Sequence, residues 1–463
     1  MNRQGESPKA LSLFAEEIPV WYRVDGKVNP AWLSACEEER NQTRDLMEHI
    51  AAPENLIKAC KQVVCNGGSS GVDGMTVKEL KEWLTKNINR LQAQLLENRY
   101  TPQPVRSVRI PKPKGGYRQL GIPTVTDRLV QQAISQVLTR LYDKGFSPNS
   151  YGFRPNRNAH GALRQAAKYV EEGKDKMVEI DLEKFFDEVN HYRLIWLLGT
   201  RIGDKRVIRL INRFLKTGIM EGGLCQQRIK GTPQGSPLSP LLSNIVLDEL
   251  DQELTRRGHY FVRYADDLQI FVGSQARAER VMQGITAFIE GKKKLKVNRS
   301  KSAIKKSHET NFLGHSILHG GRIGLSKSCE RRLKAKLKKI TQRNRGVSLE
   351  QILHELKPVI LGWLQYFKYA TMRSRLEKLD GWLRRRLKCL RLKQCKRTIG
   401  IVRFLRNLGV EETLCWRTAL SGKGWWRLSM SPAISIGMNN TWFSEKGYFS
   451  LTENYDRLHR KLL

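Results

Sequence analysis

Long apolar runs are missing from this sequence. No 18 consecutive apolar residues occur anywhere along its 463 positions, so no segment reads as a membrane-spanning helix. Cysteine is sparse and unpaired. The eight, at 36, 60, 65, 225, 329, 389, 395 and 415, never form a Cys-x-x-Cys spacing, which argues against a zinc ribbon or finger and for free thiols in a reducing compartment. The first residues lack the apolar core of a secretory signal, and Glu6, Glu16 and Glu17 do not suit an organelle transit peptide. Internal repeats and low-complexity tracts are also lacking. Above all, acid is short. There are 45 Asp and Glu against 82 Lys and Arg, a net charge of +37 and a pI near 10.1. A surface so positive concentrates polyanions and releases their counterions on binding, so nucleic acid is the expected partner. An anionic membrane surface is the rival, but no basic amphipathic segment stands alone as an anchor. The 40% hydrophobic and 27% charged residues are globular proportions, and the length allows two to four domains.

Residues 1–45 read as an extension without an assignable function. A helical pattern runs from Leu46 to about Gln103 and is broken by the Gly/Ser-rich stretch 65–76, read as a flexible connector in preference to a phosphate-binding loop. Residues 105–123 predict a hairpin around a Lys-Gly-Gly turn. Helices are expected over 127–142 and 159–172, a strand entering a helix over 177–189, and another hairpin over 312–326. From Gly321 to Gly400 there are 23 Lys and Arg against 5 Asp and Glu. Three amphipathic helices are expected there, with apolar stripes at Leu333, Leu337 and Ile340, at Ile352, Leu356, Val359, Trp363 and Phe367, and at Leu376, Leu379, Leu383, Leu387 and Leu390. One sign of charge on three successive helices favours a phosphate-tracking groove. The aromatic end, with Trp416, Trp425, Trp426, Trp442, Tyr448 and Phe449, suits base stacking and a small core equally well.

One stretch runs against the basic background. In "FVRYADDLQIFV" (261–272) two carboxylates sit side by side between apolar runs. An Asp-Asp turn alone is usually structural. A third carboxylate, Asp181, ends the apolar segment of "EIDLEKFFDEV", and if its strand lies beside the 264–267 turn, Asp181, Asp266 and Asp267 converge. Hard oxygen ligands of that charge suit Mg²⁺. Two such ions serve in-line phosphoryl transfer.

Taken in order, "GVDGMT" (71–76), "IPKPKGGYRQLGIPTVTDRLVQQAI" (110–134), "SYGFRPNRNAHGAL" (150–163), "EIDLEKFFDEVNH" (179–191), "GTPQGSPLSPLLSNIVLDELD" (231–251), "RYADD" (263–267) and "NFLGHSI" (311–317) carry a resemblance. The sequence resembles the reverse transcriptases of bacterial and organellar group II introns, also called intron maturases, over about residues 46–463. Its compact length points to the bacterial class C type.

The resemblance implies an α+β right-hand polymerase. Residues 46–310 would form fingers and a palm with an antiparallel sheet, 311–400 a helical thumb, and 401–463 a basic nucleic-acid-binding domain. It makes Asp181, Asp266 and Asp267 the catalytic ligands of two Mg²⁺ ions, joined by the carbonyl of Leu182. Lys112, Arg118 and Gln234 would line the nucleotide pocket, and Phe186 would exclude a 2′-hydroxyl and so select dNTPs. Ser236 stands where many relatives have Gly. Phe312, Leu313, Gly314 and His315 match the primer grip. Lys334, Lys338, Arg345, Arg384 and Arg385 are the candidate nucleic-acid contacts of the thumb. The implied partners are intron RNA and RNA template, a DNA primer or target and dNTPs, with no membrane, in a bacterial cytoplasm; the oligomeric state is not implied. The C-terminal endonuclease of larger relatives is absent, so target cleavage is not expected. Three other readings stand beside this one: a domesticated reverse transcriptase in repair or defence, a non-catalytic splicing cofactor, and an RNA-dependent RNA polymerase. The intact Asp triad argues against the second of these and Phe186 against the third.

Overall fold

The computed structural model describes residues 23–24, 27–28, 30–111, 115–221, 224–226, 230–232 and 235–460. The chain divides into two compact units, one of Met1–Ala166 with Lys174–Lys305 and the other of Ala167–Gly173 with Lys306–Leu463.

The first unit opens on a small antiparallel pair, β1 (Arg23–Val24) and β2 (Lys27–Val28), followed by helices Pro30–Gln42, Leu46–Ala51, Pro53–Asn66 and Leu80–Leu96. The Gly/Ser-rich stretch is a pinned connector. Arg128 donates to the carbonyls of Ser69 (2.6 Å) and Gly67 (3.3 Å), and a Cβ on Gly71 would lie 2.6 Å from the Cα of Thr124, so only glycine fits that approach. The expected hairpin is β3 (Val105–Pro111) and β4 (Tyr117–Ile122), with Ile110 opposite Arg118. The expected strand before Asp181 is β5 (Lys176–Ile180). Next come β6 (Ile219–Glu221), parallel to β3, and its antiparallel partner β7 (Leu224–Gln226), giving a sheet of order β4-β3-β6-β7.

A second sheet positions the carboxylates. With β8 (Tyr260–Tyr264), β9 (Asp267–Val272) and β10 (Ala303–Lys306), its order is β10-β5-β9-β8. In β9 every residue from Leu268 to Val272 is buried, which breaks the alternation of a half-wet strand. Both faces are covered: helix Ser239–Arg256 packs by β8, and helix Gln275–Gly291 packs by β5 and β9. A slip of one residue would reverse the facing of every side chain, so this packing locks the register.

In the second unit β11 (His315–Ile317) and β12 (Ile323–Leu325) form the expected hairpin. Helices Lys327–Ile340, Leu349–Phe367 and Arg373–Gln394 bury Leu333 and Leu337, Ile352, Leu356 and Phe367, and Leu376, Leu379, Leu383, Leu387 and Leu390; Ile340, Val359 and Trp363 are half-buried. The aromatic end divides between its two uses. Trp442, Phe443 and Tyr455 are buried in a small core, whereas Trp416 and Trp426 stay 39% and 41% exposed. Among the described residues no helix is long and apolar enough to cross a membrane.

Asp380, buried in helix Arg373–Gln394, caps another helix from outside. It accepts hydrogen bonds from the backbone N–H of Leu451 (3.0 Å) and Thr452 (2.8 Å) at the start of Leu451–Arg460, and from the hydroxyls of Tyr448 (2.6 Å), Ser450 (3.0 Å) and Thr452 (2.7 Å). A negative charge there satisfies the free N–H groups and the helix dipole together. Asp380→Ala leaves those donors without an acceptor, each costing about 1–3 kcal/mol. Amide exchange over 448–460 should therefore accelerate at least about tenfold; protection equal to wild type would show that packing alone holds this helix.

Candidate active site

The last paired residues of β5 and β9 are Ile180 and Leu268, so the next step of the same register sets Asp181 against Asp267. Asp267 opens β9 opposite Tyr264, and Asp266 stands in the turn between β8 and β9. The three aspartates expected to converge thus share one end of a buried sheet. The turn owes its shape to Ala265, whose φ of +58° costs a side-chain-bearing residue roughly 1–2 kcal/mol.

Electrostatics make the convergence visible. Asp267 is the exposed residue of β9, ahead of its buried run. Lost hydration first, and then the charges of Asp266, Asp181 and Glu179, push it up to about 6, against a downward pull from Lys301. Asp181 is tied from the segment before β10. The Lys301 ammonium donates to its carboxylate at 3.0 Å, its own N–H donates to the Ser302 hydroxyl at 3.0 Å, and Asn298 N–H donates to its carbonyl at 2.8 Å. Leu182 lies next to it, in an isolated bridge to Val297. Lys305 makes the equivalent ion pair with Glu179. Sequence reasoning missed Lys301, Ser302, Lys305 and Glu179. The Lys-rich run 301–306 was visible, but nothing local in it tells which strand it joins.

The nucleotide-binding candidates are placed less completely. Lys112 and Gln234 lie outside the described residues, and of Arg118 the backbone alone is placed, in β4. Phe186 sits half-buried in the short helix Phe185–Glu188, edge-on to the buried Phe185 ring at 5.4 Å. Its carbonyl accepts from Thr232 N–H at 2.6 Å, and Gly231 packs so closely on Phe186 and Asp187 that a Cβ there would fall 2.8 Å from their backbone. The helix and the "GT" of the 231–251 motif are therefore joined. Ser236 is buried and donates to Gln131 at 2.6 Å.

In the second unit Phe312 and His315 face inward. His315 packs on the Phe367 and Tyr366 rings at 4.8 and 5.7 Å, while Leu313 and Gly314 form a left-handed turn (φ +51° and +82°). A Cβ at Gly314 would meet Cys329 Sγ at 2.9 Å. This segment therefore presents the backbone of 313–314, with His315 as its support. Of the thumb candidates, Lys334 and Lys338 are exposed and Arg384 is half-exposed, with the Lys334 ammonium 5.1 Å from the centre of the Trp382 ring. Arg345 and Arg385 already have protein partners: Arg345 pairs with Glu355 at 2.8 Å and donates to the Ile340 carbonyl, and Arg385 stacks 4.0 Å from the Trp426 ring centre and donates to its carbonyl.

The donor set fits a hard divalent cation: the atoms on offer are carboxylate oxygens, and the like charges that add to lost hydration in raising Asp267 would be offset by such an ion. Among the described residues no three Asp, Glu, His or Cys side chains are placed to hold a metal as they stand, and part of the counter-charge at Asp181 comes from Lys301.

A strand-end carboxylate beside a strand-turn-strand carboxylate pair, on an antiparallel sheet backed by helices, defines a nucleotidyl-transferring polymerase palm. Residues 110–317 match the family described as reverse transcriptase (RNA-dependent DNA polymerase), and residues 330–407 match the group II intron, maturase-specific domain. The sequence is 31% identical to Protein YkfC of Escherichia coli (strain K12) over 67% of this chain and 92% of that protein. It is 29% identical to group II intron-encoded protein LtrA of Lactococcus lactis subsp. cremoris over 59% of this chain and 56% of LtrA, just over half of that relative's length. A chain of the solved "Partial Cas6-RT-Cas1--Cas2 complex" aligns at TM-score 0.35 and 25% identity over 54% of this chain and 43% of that one. The chain belongs to the group II intron reverse transcriptase and maturase family. It is an RNA-directed DNA polymerase of the right-hand α+β fold, dependent on divalent metal and binding RNA and DNA.

Because its folded-state pKa of about 6 exceeds the ordinary 3.8, Asp267 costs stability that sets in as pH rises through this interval and is at full size above it. In Mg²⁺-free buffer Asp267→Asn should therefore melt higher than wild type near pH 7.5 and level with it near pH 4, while Mg²⁺ should raise the Tm of wild type more than that of the variant. A variant that melts lower than wild type near pH 7.5 would mean that Asp267 is held by favourable contacts instead of repulsion.

Proposed function

We propose that Asp181, Asp266 and Asp267 carry DNA synthesis on an RNA template by holding two Mg²⁺ ions, and that the same chain assists the splicing of its intron RNA. The observation behind this reading is the placement of three aspartates at one sheet end, where lost hydration first and then the neighbouring charges push Asp267 up to about 6. Bound there, the ions would activate a primer 3′-hydroxyl and neutralise the departing pyrophosphate. The backbone carbonyl of Leu182 adds an oxygen to their shell. Lys112 and Arg118 grip the triphosphate, Lys as a point charge and Arg as a two-pronged donor, and Gln234 lines the nucleotide pocket. Phe186, braced by Phe185, leaves no space for a 2′-hydroxyl. The 312–315 segment holds the primer end through the backbone of Leu313 and Gly314.

Residues 46–310 act as fingers and palm, 311–400 as thumb, and 401–463 as a nucleic-acid-binding extension with the exposed Trp416 as a stacking surface. Lys334, Lys338 and Arg384 are the better-placed thumb contacts, because Arg345 and Arg385 must first leave their protein partners.

Asp266→Asn should abolish primer extension on an RNA template and leave RNA affinity within about twofold of wild type, because the carboxylate serves the cation and not the template. Extension within about tenfold of wild type would remove Asp266 from the metal site. A protein with all three Asp→Asn changes should still promote splicing of its own intron, since the ribozyme supplies that chemistry; loss of splicing at normal RNA affinity would show the two roles to be inseparable.

Phe186→Ala should lower the ratio of kcat/KM for dNTP over rNTP by roughly 10–200-fold, the range of one steric contact in a pocket. An unchanged ratio would make Phe186 a packing residue.

A further inference from the structure

We infer that Arg263, two residues before the strained Ala265, is a positioning residue that holds the Asp266–Asp267 turn in its Mg²⁺-binding shape, by clamping the Ala265 carbonyl from the buried side. The inference rests on the reading of Asp266 and Asp267 as metal ligands.

Arg263 is 1% exposed, the largest fully buried side chain among the described residues. Its guanidinium forks onto Asp251, itself 0% exposed, at 2.5–3.0 Å. The remaining arm, Nη1, divides between Asn244 Oδ1 at 3.0 Å and the carbonyl of Ala265 at 2.9 Å. Asn244 and Asp251 are seven residues apart on helix Ser239–Arg256, two turns, so one helix face supplies both anchors. The clamp has a second jaw. The Asn244 amide donates to the Gly152 carbonyl at 2.9 Å, and Gly152 lies so close to the turn that a Cβ would stand 2.2 Å from Ala265 N. The strand edge is tied to the same segment, because Tyr151 N–H donates to the Arg263 carbonyl and Arg263 N–H to the Asn149 carbonyl, both at 2.9 Å.

A buried Arg–Asp pair does not by itself stabilise a fold more than apolar packing of the same volume. What this pair adds is direction. A planar fork fixed by Asp251 can aim its other arm at one carbonyl, which a lysine cannot do. That carbonyl belongs to the one residue of the β8–β9 turn with left-handed φ, and its left-handed shape decides where the next two carboxylates start. Groups standing behind metal ligands typically change metal affinity about 10–100-fold when removed.

The test uses full-length Arg263→Lys, Asn244→Ala and the double variant Arg263→Lys/Ala265→Gly. Two readouts are followed: the Mg²⁺-dependent rise in Tm without nucleic acid, and primer extension against Mg²⁺ concentration. Arg263→Lys should raise the Mg²⁺ midpoint roughly tenfold in both, while KM for dNTP at saturating Mg²⁺ stays at wild type. Asn244→Ala should shift it less and in the same direction. Adding Ala265→Gly should bring the midpoint back toward wild type, because glycine takes φ +58° without strain. Wild-type midpoints in Arg263→Lys and Asn244→Ala overturn the inference, as does a double variant without recovery, which would mean that Arg263 acts through general packing. If Arg263→Lys does not fold, Asn244→Ala decides: a raised midpoint at wild-type Mg²⁺-free Tm supports the clamp, and an unshifted one overturns it. A wild type that shows no response to Mg²⁺ overturns the metal-site reading and the clamp with it, whereas a normal wild-type response with unshifted variants overturns the clamp alone.

Discussion

Crowding of like charge at the end of the β5–β9 pairing is the constraint around which the first unit is arranged. Carboxylates placed side by side repel, and the protein tolerates this because the strands that carry them cannot slip. Met177, Val178 and Ile180 on β5 and the continuously buried run Leu268–Val272 on β9, apolar except for Gln269, are enclosed between helices. The interior fixes the register, and the register fixes the clash. The residual charge is managed from β10 and the segment before it: Lys301 reaches Asp181 and, within the strand, Lys305 reaches Glu179. Local stability is given up at this sheet end, where the carboxylate charge is only partly balanced.

Backbone strain gathers in the same segments. Lys184 (φ +46°) precedes the helix that carries Phe186, Ala265 (φ +58°) precedes Asp266, and Leu313 (φ +51°) opens the 313–314 turn. Left-handed residues with side chains persist where their surroundings over-determine them. The surroundings are identifiable in two cases: Arg263 and Gly152 around Ala265, and Phe367, Tyr366 and Cys329 around 313–315. The motifs are short in sequence because each is a turn, and each turn is held by distant residues.

The surplus of positive charge serves two purposes in the second unit. Some cations are internal ties: Arg386 donates to the hydroxyl and carbonyl of Thr341, Arg385 covers Trp426, and Arg345 joins Glu355. Others, such as Lys334 and Lys338, remain on exposed helix faces above buried leucines. A count of Lys and Arg therefore overstates the charge available to phosphates. Asp380 shows the opposite economy, one buried carboxylate fastening the C-terminal helix through five donors.

The sequence by itself determined the class of this protein, its strand-turn-strand around Asp266 and Asp267, the hairpins 105–123 and 312–326, and the three leucine-striped basic helices. Those follow from short-range periodicity, turn chemistry and ordered motifs, which need no knowledge of what packs against them. It also named Asp181 as the third carboxylate, although only the β5–β9 register sets it against Asp267. The tertiary structure alone decided that Lys301 is the ion-pair partner of Asp181, 120 residues away in the chain, that Arg263 is buried against Asp251 and the Ala265 carbonyl, and that the aromatic tail divides between a core at Trp442 and Phe443 and exposed rings at Trp416 and Trp426. The reason is common to all three. An Arg, Lys or Trp reads the same in sequence whether it faces water or a neighbour, and its burial and partners depend on contacts between segments far apart in the chain.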